Sequence, residues 1–332
     1  MTTIYDVARQ AQVSAATVSR VLNGRATVDP VLVERVQEAV RSLGYRRNAV
    51  ARNLRRSRTM LWGLIISDIG NPFFTALARG VEDVAQAEGY SVALCNSDEN
   101  PAKESQYIGV VLDEQMAGVI ISPSGRGRDV RLLIEANTPV VAIDRELRAA
   151  TVDSVLVDNE HGAELATSHL IESGYRRIAC ITGPKQLSTA TQRLRGYKRA
   201  LAAAGLPMDE SLVRYSDYRE AGAFEAMESL LDSETARPDA VFAANNLTTV
   251  GAMDCLVSRG VKVPVEVGFV GFDDIPWAHL VRPSLTTVAQ PTYELGQTAA
   301  RLLVERIKEP SRPPARVVLR TVLHERDSSR RP

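Results

Sequence analysis

Cysteine and histidine are scarce in this chain of 332 residues, and what is missing around them excludes several kinds of chemistry. The three cysteines, Cys95, Cys180 and Cys255, lie far apart with no CxxC pair. That rules against a disulfide framework and points to a reducing compartment. His161 and His169 stand two helical turns apart, about 12 Å along a helix, too far to share one metal ion. His279 and His324 have no Cys or His at ligand spacing. No GxSxG nucleophile elbow occurs, and the stretches GRGR at Gly125–Arg128 and GPK at Gly183–Lys185 fall short of a phosphate-binding loop. No nucleophile, metal or cofactor constellation is therefore expected, and no enzyme. No apolar run is long enough to span a bilayer and none opens the N-terminus, so a cytoplasmic protein without membrane contact is expected.

A content of 45% hydrophobic and 24% charged residues is that of a globular protein, and the length suits two or three domains. The charges balance at 40 each way, but unevenly. Up to Met60 there are eleven arginines against four acids, a surplus of seven positive charges, which leaves the remainder acidic by the same amount. A basic head on an acidic body suits a polyanionic partner for the head.

The head itself, opening with TIYDVARQAQVSAATVSRVLNG at Thr2–Gly24, is patterned for three short helices. Thr3 is placed to cap a helix from Ile4, with Asp6 completing a shortened capping box. Ser14 is placed to cap a second helix, in which Val18, Val21 and Leu22 form an apolar stripe. Ala15, Ala16, Ser19 and Arg20 fall on its other face, and Asn23-Gly24 stops it. Asp29-Pro30 opens a third, with Val33, Val36, Val40 and Leu43 as its stripe. None is long enough to be stable alone, so the three must share one core. The order is that of a helix-turn-helix with a supporting helix, although a plain helical hairpin has the same spacing. With small residues at its start, the second helix can approach a major groove, where Arg20 can reach guanine O6 and N7.

This N-terminal stretch, with GYRRNAVARNL after the third helix, resembles the signature of the lactose-repressor (LacI-type) family of bacterial transcription regulators. The resemblance runs along almost the whole chain and implies a set of DNA contacts. Ala15, Ala16 and Arg20 would face base edges, while Tyr5, Ser14, Ser19 and Asn23 would touch phosphates or bases. Ile4, Thr17, Tyr45, Asn48, Ala51, Arg52, Leu54 and Arg55 complete the set. In NAVARNLRRSRT, Asn48–Thr59, the family uses the leucine at position 54 as a wedge, two hinge helices entering the minor groove and parting a central base step. Arg52, Arg55, Arg56 and Arg58 would then line phosphates; the alternative is an ordinary basic linker. Where the family usually has proline just before this hinge, the chain has Arg47.

From Leu61 the pattern changes to buried strands alternating with helices. LWGLII, YSVALCN, GVIIS, PVVAID and SVLVD form one series, and RIACITG, AVFAAN and VGFVGFDD a second. Two series of apolar strands with helices between them imply two parallel-sheet lobes covered on both faces. The fold class expected is thus α/β, an N-terminal all-α helix-turn-helix head plus a two-lobed body resembling a periplasmic binding protein. The segments are a DNA-binding domain at 1–46, a hinge helix and linker at 47–60, a body at 61–326 and a tail at 327–332. One lobe takes about 61–158 plus 289–318, the other about 159–288 plus 319–326.

Ligands of open parallel sheets lie beyond the C-terminal strand ends. The residues just after these strands include Phe73, Phe74, Asp144, Arg145, Arg193, Tyr218, Asn245 and Asp273, with Trp277 slightly later. Charged forks and amides pair with vicinal hydroxyls, and rings stack on the apolar face of a sugar. The resemblance implies effector contacts at all of these except Asp144 and Trp277. Core packing is the alternative for Trp277, a structural salt bridge for Asp144-Arg145, and Asn246 departs from the aspartate of many relatives. The function expected is a DNA-binding repressor, dimeric on a pseudo-palindromic operator and controlled by a small sugar-like effector between the lobes. Ribose is the first candidate. The alternative is a sugar-binding protein or enzyme without operator control. ERDSSRRP after His324 carries no leucine heptads of the kind through which some relatives tetramerise, which favours a homodimer.

Overall fold

The computed structural model describes residues 2–22, 28–45, 59–124, 127, 129–147, 151–235 and 237–331. The chain divides into two compact units, Met1–Arg58 and Thr59–Pro332.

The first unit contains α1 (Ile4–Ala11), α2 (Ala15–Leu22) and α3 (Pro30–Ser42). Their ends are set by local side-chain chemistry. The Thr3 backbone N–H and hydroxyl both donate to the Asp6 carboxylate, at 2.9 and 2.7 Å, and hold Asp6 ionised below its usual range. The Thr17 N–H donates to Ser14 Oγ at 3.0 Å at the start of α2, and Asp29 caps Val31 at 2.8 Å with Pro30 as first helical residue. A left-handed Gln12 turns the chain between α1 and α2. Val7, Ala8, Ala11, Val18, Val36 and Ala39 form the shared core. Val40 and Leu43 pack at its margin, while Ala39 rather than Val33 fills the centre of the third stripe. Arg35 donates to the Ala11 carbonyl at 2.7 Å, so one of the surplus arginines serves the fold. The stop expected at Asn23-Gly24 and the hinge from Asn48 to Arg58 lie outside the described residues.

The second unit holds two six-stranded sheets. Lobe 1 contains β1 (Leu61–Ile66), α4 (Pro72–Ala87), β2 (Ser91–Asn96), α5 (Pro101–Asp113), β3 (Gly118–Ile121), α6 (Val130–Glu135), β4 (Val140–Ile143) and β5 (Asp153–Val157). Lobe 2 contains α7 (Asn159–Glu172), β6 (Ile178–Thr182), α8 (Ser188–Ala203), β7 (Val213–Tyr215), α9 (Glu220–Leu231), β8 (Ala240–Ala243), α10 (Asn246–Ser258), β9 (Gly268–Phe272) and β10 (Thr286–Ala289). The chain then returns to lobe 1 with α11 (Thr292–Lys308) and β11 (Arg316–Leu319), and ends in lobe 2 with β12 (Val322–His324). The strand orders are β11-β5-β4-β3-β1-β2 and β12-β10-β9-β8-β6-β7, parallel throughout except β10 against β12.

Each sheet is buried on both faces. In lobe 1, Trp62, Leu77 and Leu295 lie on one side, and Ile65, Ile108 and Leu133 on the other. In lobe 2, Tyr197, Phe242 and Phe272 oppose Met227, Leu230 and Phe269. Each such side chain contributes roughly 1.5–3 kcal/mol by leaving water. α4 and α11 touch backbone to backbone because a Cβ on Gly80 would meet the Tyr293 carbonyl and one on Gly296 the Leu77 carbonyl. The fully buried Asp153 binds Arg306 at 2.9 Å and Arg312 at 3.0 Å, fastening the chain ahead of β11 to the edge of β5. Among the described residues no helix is long and apolar enough to cross a membrane.

Candidate functional site

In lobe 1 the chain leaves β1 toward β2 on one side and finds β3 on the other; β6, with β7 and β8, repeats this in lobe 2. A crevice must open where the order reverses, beyond the C-terminal strand ends. The two crevices share one pocket, lined from lobe 1 by Phe73, Phe74, Glu99, Asp144 and Arg145 and from lobe 2 by Arg193, Tyr218, Asn245 and Asp273. Its cavity volume is about 30 Å³, so the cleft is narrow.

On the lobe 1 side, Phe73 and Phe74 sit in the first turn of α4, whose amides are capped by Asn71 Oδ1 at 2.9 Å from the Phe73 nitrogen. Their rings pack edge to face with centroids 5.0 Å apart. Arg145 is only 5% exposed. Its two terminal nitrogens donate to Glu99 at 2.8 and 2.6 Å, one also reaches the Pro123 carbonyl at 3.3 Å, and Nε lies 3.4 Å from Asp144. Burial opposes the charge of Arg145, but Glu99 and Asp144 outweigh it and hold the guanidinium protonated above its ordinary value. Burial pushes the Asp144 carboxyl up, against the pull of Arg145 and Arg193.

Lobe 2 holds its arginine differently. Arg193, 3% exposed, donates to Asn159 Oδ1 at 2.8 Å and to the Ala244 carbonyl at 2.6 Å, and its guanidinium stacks over the Phe272 ring at 3.8 Å. Asn245 caps α10 by accepting from the Thr248 N–H at 2.7 Å. Asp273 accepts from the Asn246 N–H at 3.2 Å and from Gln290 Nε2. Among the described residues, two bonds join the lobes at this mouth: Asn246 Nδ2 to Asn71 Oδ1 at 2.7 Å, and Arg219 to Asp98 at 2.8 Å.

Two features mark this place as built for a ligand. The Tyr218 hydroxyl and the Gln290 carbonyl oxygen are buried in the lining without a hydrogen-bond partner, a costly condition that a hydroxylated ligand would relieve. Asp98, Glu99, Asp144, Tyr218 and Asp273 also have left-handed backbones, with φ between 56° and 78°. Such strain concentrates where function over-determines a conformation.

Of the nine effector residues expected from the sequence, eight line this pocket; Trp277 does not. It is 40% exposed on a separate groove beside α9 and α10. Residues 275–285 turn outward after β9 around a small cluster of Ile275, Ala278 and Leu285, carrying the ring away from the strand mouth and out of the core alike. The sequence reading missed Glu99, Gln290 and Asp68, although each follows a strand and the same rule applied to β1, β2 and β10 finds them.

In the head, Ala16 and Arg20 are exposed on α2 as expected, and Tyr5 is 70% exposed. Ala15 is not on the open face: it is half-buried against the head core, because the first turn of α2 sits over α1. Ile4 and Tyr45 also pack against this core, Thr17 and Ser19 are half-buried, and Ser14 is exposed. Asn23, Asn48, Ala51, Arg52, Leu54 and Arg55 lie outside the described residues.

Residues 3–48 match the model of the bacterial regulatory proteins of the lacI family, and residues 167–329 that of a periplasmic binding protein-like domain. Catabolite control protein A of Priestia megaterium is 40% identical over 305 residues, covering 91% of this chain and 92% of that one. The chain belongs to the lacI family. The ribose operon repressor of Halalkalibacterium halodurans is 39% identical, over 93% of this chain and 91% of that one. A solved lac repressor dimer bound to operator and the anti-inducer ONPF superimposes with a TM-score of 0.87 at 26% identity, covering 99% of both chains. This lacI-family protein is a cytoplasmic, non-enzymatic transcriptional repressor that binds DNA under the control of an effector. Membership removes the alternative of a binding protein or enzyme without operator control.

Proposed function

We propose that this repressor binds a pseudo-palindromic operator as a homodimer, one head per half-site, and that a monosaccharide held between the two lobes sets its grip. The observation that carries this reading is the cleft itself: two buried polar atoms without partners, two aromatic rings and three arginines converge where, among the described residues, two polar bonds close the lobes. A polyol supplies both donors and acceptors to such a set, and Phe73 or Phe74 offers a face to its C–H side. A sugar needs more room than the narrow cleft gives, so entry parts the lobes and breaks the Asn71–Asn246 and Arg219–Asp98 bonds. Binding and lobe angle are then linked, and through the hinge the DNA affinity is linked reciprocally to the sugar. Ribose is the first candidate, in keeping with the name of the relative from Halalkalibacterium.

On the DNA side, Ala16 and Arg20 on the open face of α2 read base edges. Tyr5, Ser14 and Ser19 position the head on phosphates, and Leu54 wedges the centre of the operator. The test is a thermal-shift screen over neutral sugars, sugar acids and purines, since a ligand that binds the folded state raises its melting temperature by mass action. A neutral monosaccharide is expected to give the largest shift. A screen in which purines shift the protein and sugars do not would replace this effector.

A further inference from the structure

We propose that Glu99 is a specificity-determining residue that keeps anionic effectors out of the cleft by cancelling the charge of Arg145. The inference rests on the cleft being the effector site and names the chemical class it turns away. An arginine at the wall of a sugar cleft is the natural partner of a phosphate or a carboxylate, which it grips with two parallel N–H bonds. Here that fork is already taken. Both terminal nitrogens of Arg145 donate to the two Glu99 oxygens, at 2.8 and 2.6 Å, and Nε faces Asp144. No edge of the guanidinium remains for an incoming anion.

The placement of Glu99 is specific. Asp98 and Glu99 both have φ of 56°, and the Glu99 N–H is tied to the Ser67 carbonyl at 2.9 Å, so the loop after β2 is bent to aim this carboxylate at Arg145. The rest of the wall does not restore a positive field. Five carboxylates line the pocket (Asp68, Glu99, Asp144, Asp217, Asp273) against three arginines. Arg193 stands close enough to Asp144 for their charges to interact. The first turns of α4 and α10, which would otherwise attract an anion, are capped by Asn71 and Asn245. Among the described residues, α8 and α9 start at the pocket without a side-chain cap. A neutral sugar loses nothing in this field, whereas a sugar phosphate or sugar acid must displace Glu99 or be buried beside it.

The experiment uses full-length protein and inorganic phosphate as the probe, compared with chloride at equal ionic strength by thermal unfolding. Wild type is expected to show no phosphate-specific shift. Glu99→Gln, which keeps the shape and removes the charge, is expected to gain about 3 °C. Glu99→Asp keeps the charge and should stay unresponsive, and the double variant Glu99→Gln/Arg145→Gln should lose the gain. Glu99→Ala serves as the second charge-free variant if Glu99→Gln does not fold. Overturning results are a wild type stabilised by phosphate through Arg145, or charge-free variants that ignore phosphate. The same melts include neutral sugars. Sugars that shift wild type while phosphate leaves Glu99→Gln and Glu99→Ala unmoved defeat only the role of Glu99. Phosphate that shifts Glu99→Gln while no sugar shifts any form defeats the monosaccharide reading and leaves the charge pairing standing.

Discussion

The two lobes share a strand order, yet each secures its cleft arginine by a different physical means. In lobe 1, Arg145 is locked into an ion-paired fork with Glu99 beside Asp144. In lobe 2, Arg193 is held by a carbonyl, an amide oxygen and the face of Phe272, none of them charged. A buried ion pair that loses one member leaves an uncompensated charge behind; a neutral set that loses its arginine leaves only unmet acceptors. Arg145 is therefore tied to the stability of its lobe. Arg193, whose hydrogen-bond and stacking partners are neutral, is held in place without an ion-paired fork and is the arginine left to act on a ligand.

The sharpest way to break this comparison is to remove each arginine in turn. Arg145→Ala should cost about 3 kcal/mol of stability in urea unfolding, because Glu99 and Asp144 lose their cation. Arg193→Ala should lose less stability but weaken sugar binding about a hundredfold by calorimetry, about 2.7 kcal/mol. The reverse pattern would undo the distinction. The helix pairs sharpen it from another side. Gly251→Ala drives a Cβ into the Glu220 carbonyl between α9 and α10, as Gly80→Ala does against Tyr293. Each should cost about 2 kcal/mol, and strongly unequal losses would show that the lobes are not built alike.

Smaller effects are expected where the lobes meet and at the edge of lobe 2. Asn246→Asp replaces the donor that binds Asn71 Oδ1 with a carboxylate oxygen, and should loosen the closed cleft by about 1–2 kcal/mol, seen as an increased radius of gyration in solution scattering. Asp274 accepts from Arg326 at 2.8 Å, Thr287 at 2.6 Å and His324. Burial opposes ionisation of its carboxyl, but these bonds prevail and its pKa is lowered. Its stabilisation is thus present at neutral pH and lost as pH falls below the ordinary carboxylate value of about 4. Asp274→Asn should be about 1 kcal/mol less stable at pH 7, and the gap to wild type should close on acidification toward about pH 3.

Much of this was legible from residue order because the body is built of strands buried on both faces. LWGLII or AVFAAN needs no partner to declare itself, and the residue after such a strand falls at the cleft by topology alone. Short or half-exposed strands lack that pattern, so β7 was missed. The helix α9 was missed with it, and Gln290 was overlooked at the end of β10. Trp277 misled because five residues past a strand is far enough for the chain to turn away from the mouth. Ala15 misled because one helical face was assigned from spacing, whereas the crossing of α1 and α2 decides what that turn covers. The Glu99–Arg145 pair lay beyond sequence reasoning, since it depends on two consecutive left-handed residues that no glycine announces.

The central claim, that occupancy of the lobe cleft sets the grip of the head on DNA, is tested most directly by fluorescence anisotropy. Full-length protein is titrated against an inverted-repeat duplex at two salt concentrations, with and without the sugar that gives the largest melting shift. The account predicts salt-sensitive binding whose affinity changes at least about fivefold with the sugar in wild type and stays constant in Arg193→Ala. Superimposable wild-type isotherms with and without a sugar that demonstrably binds would contradict it.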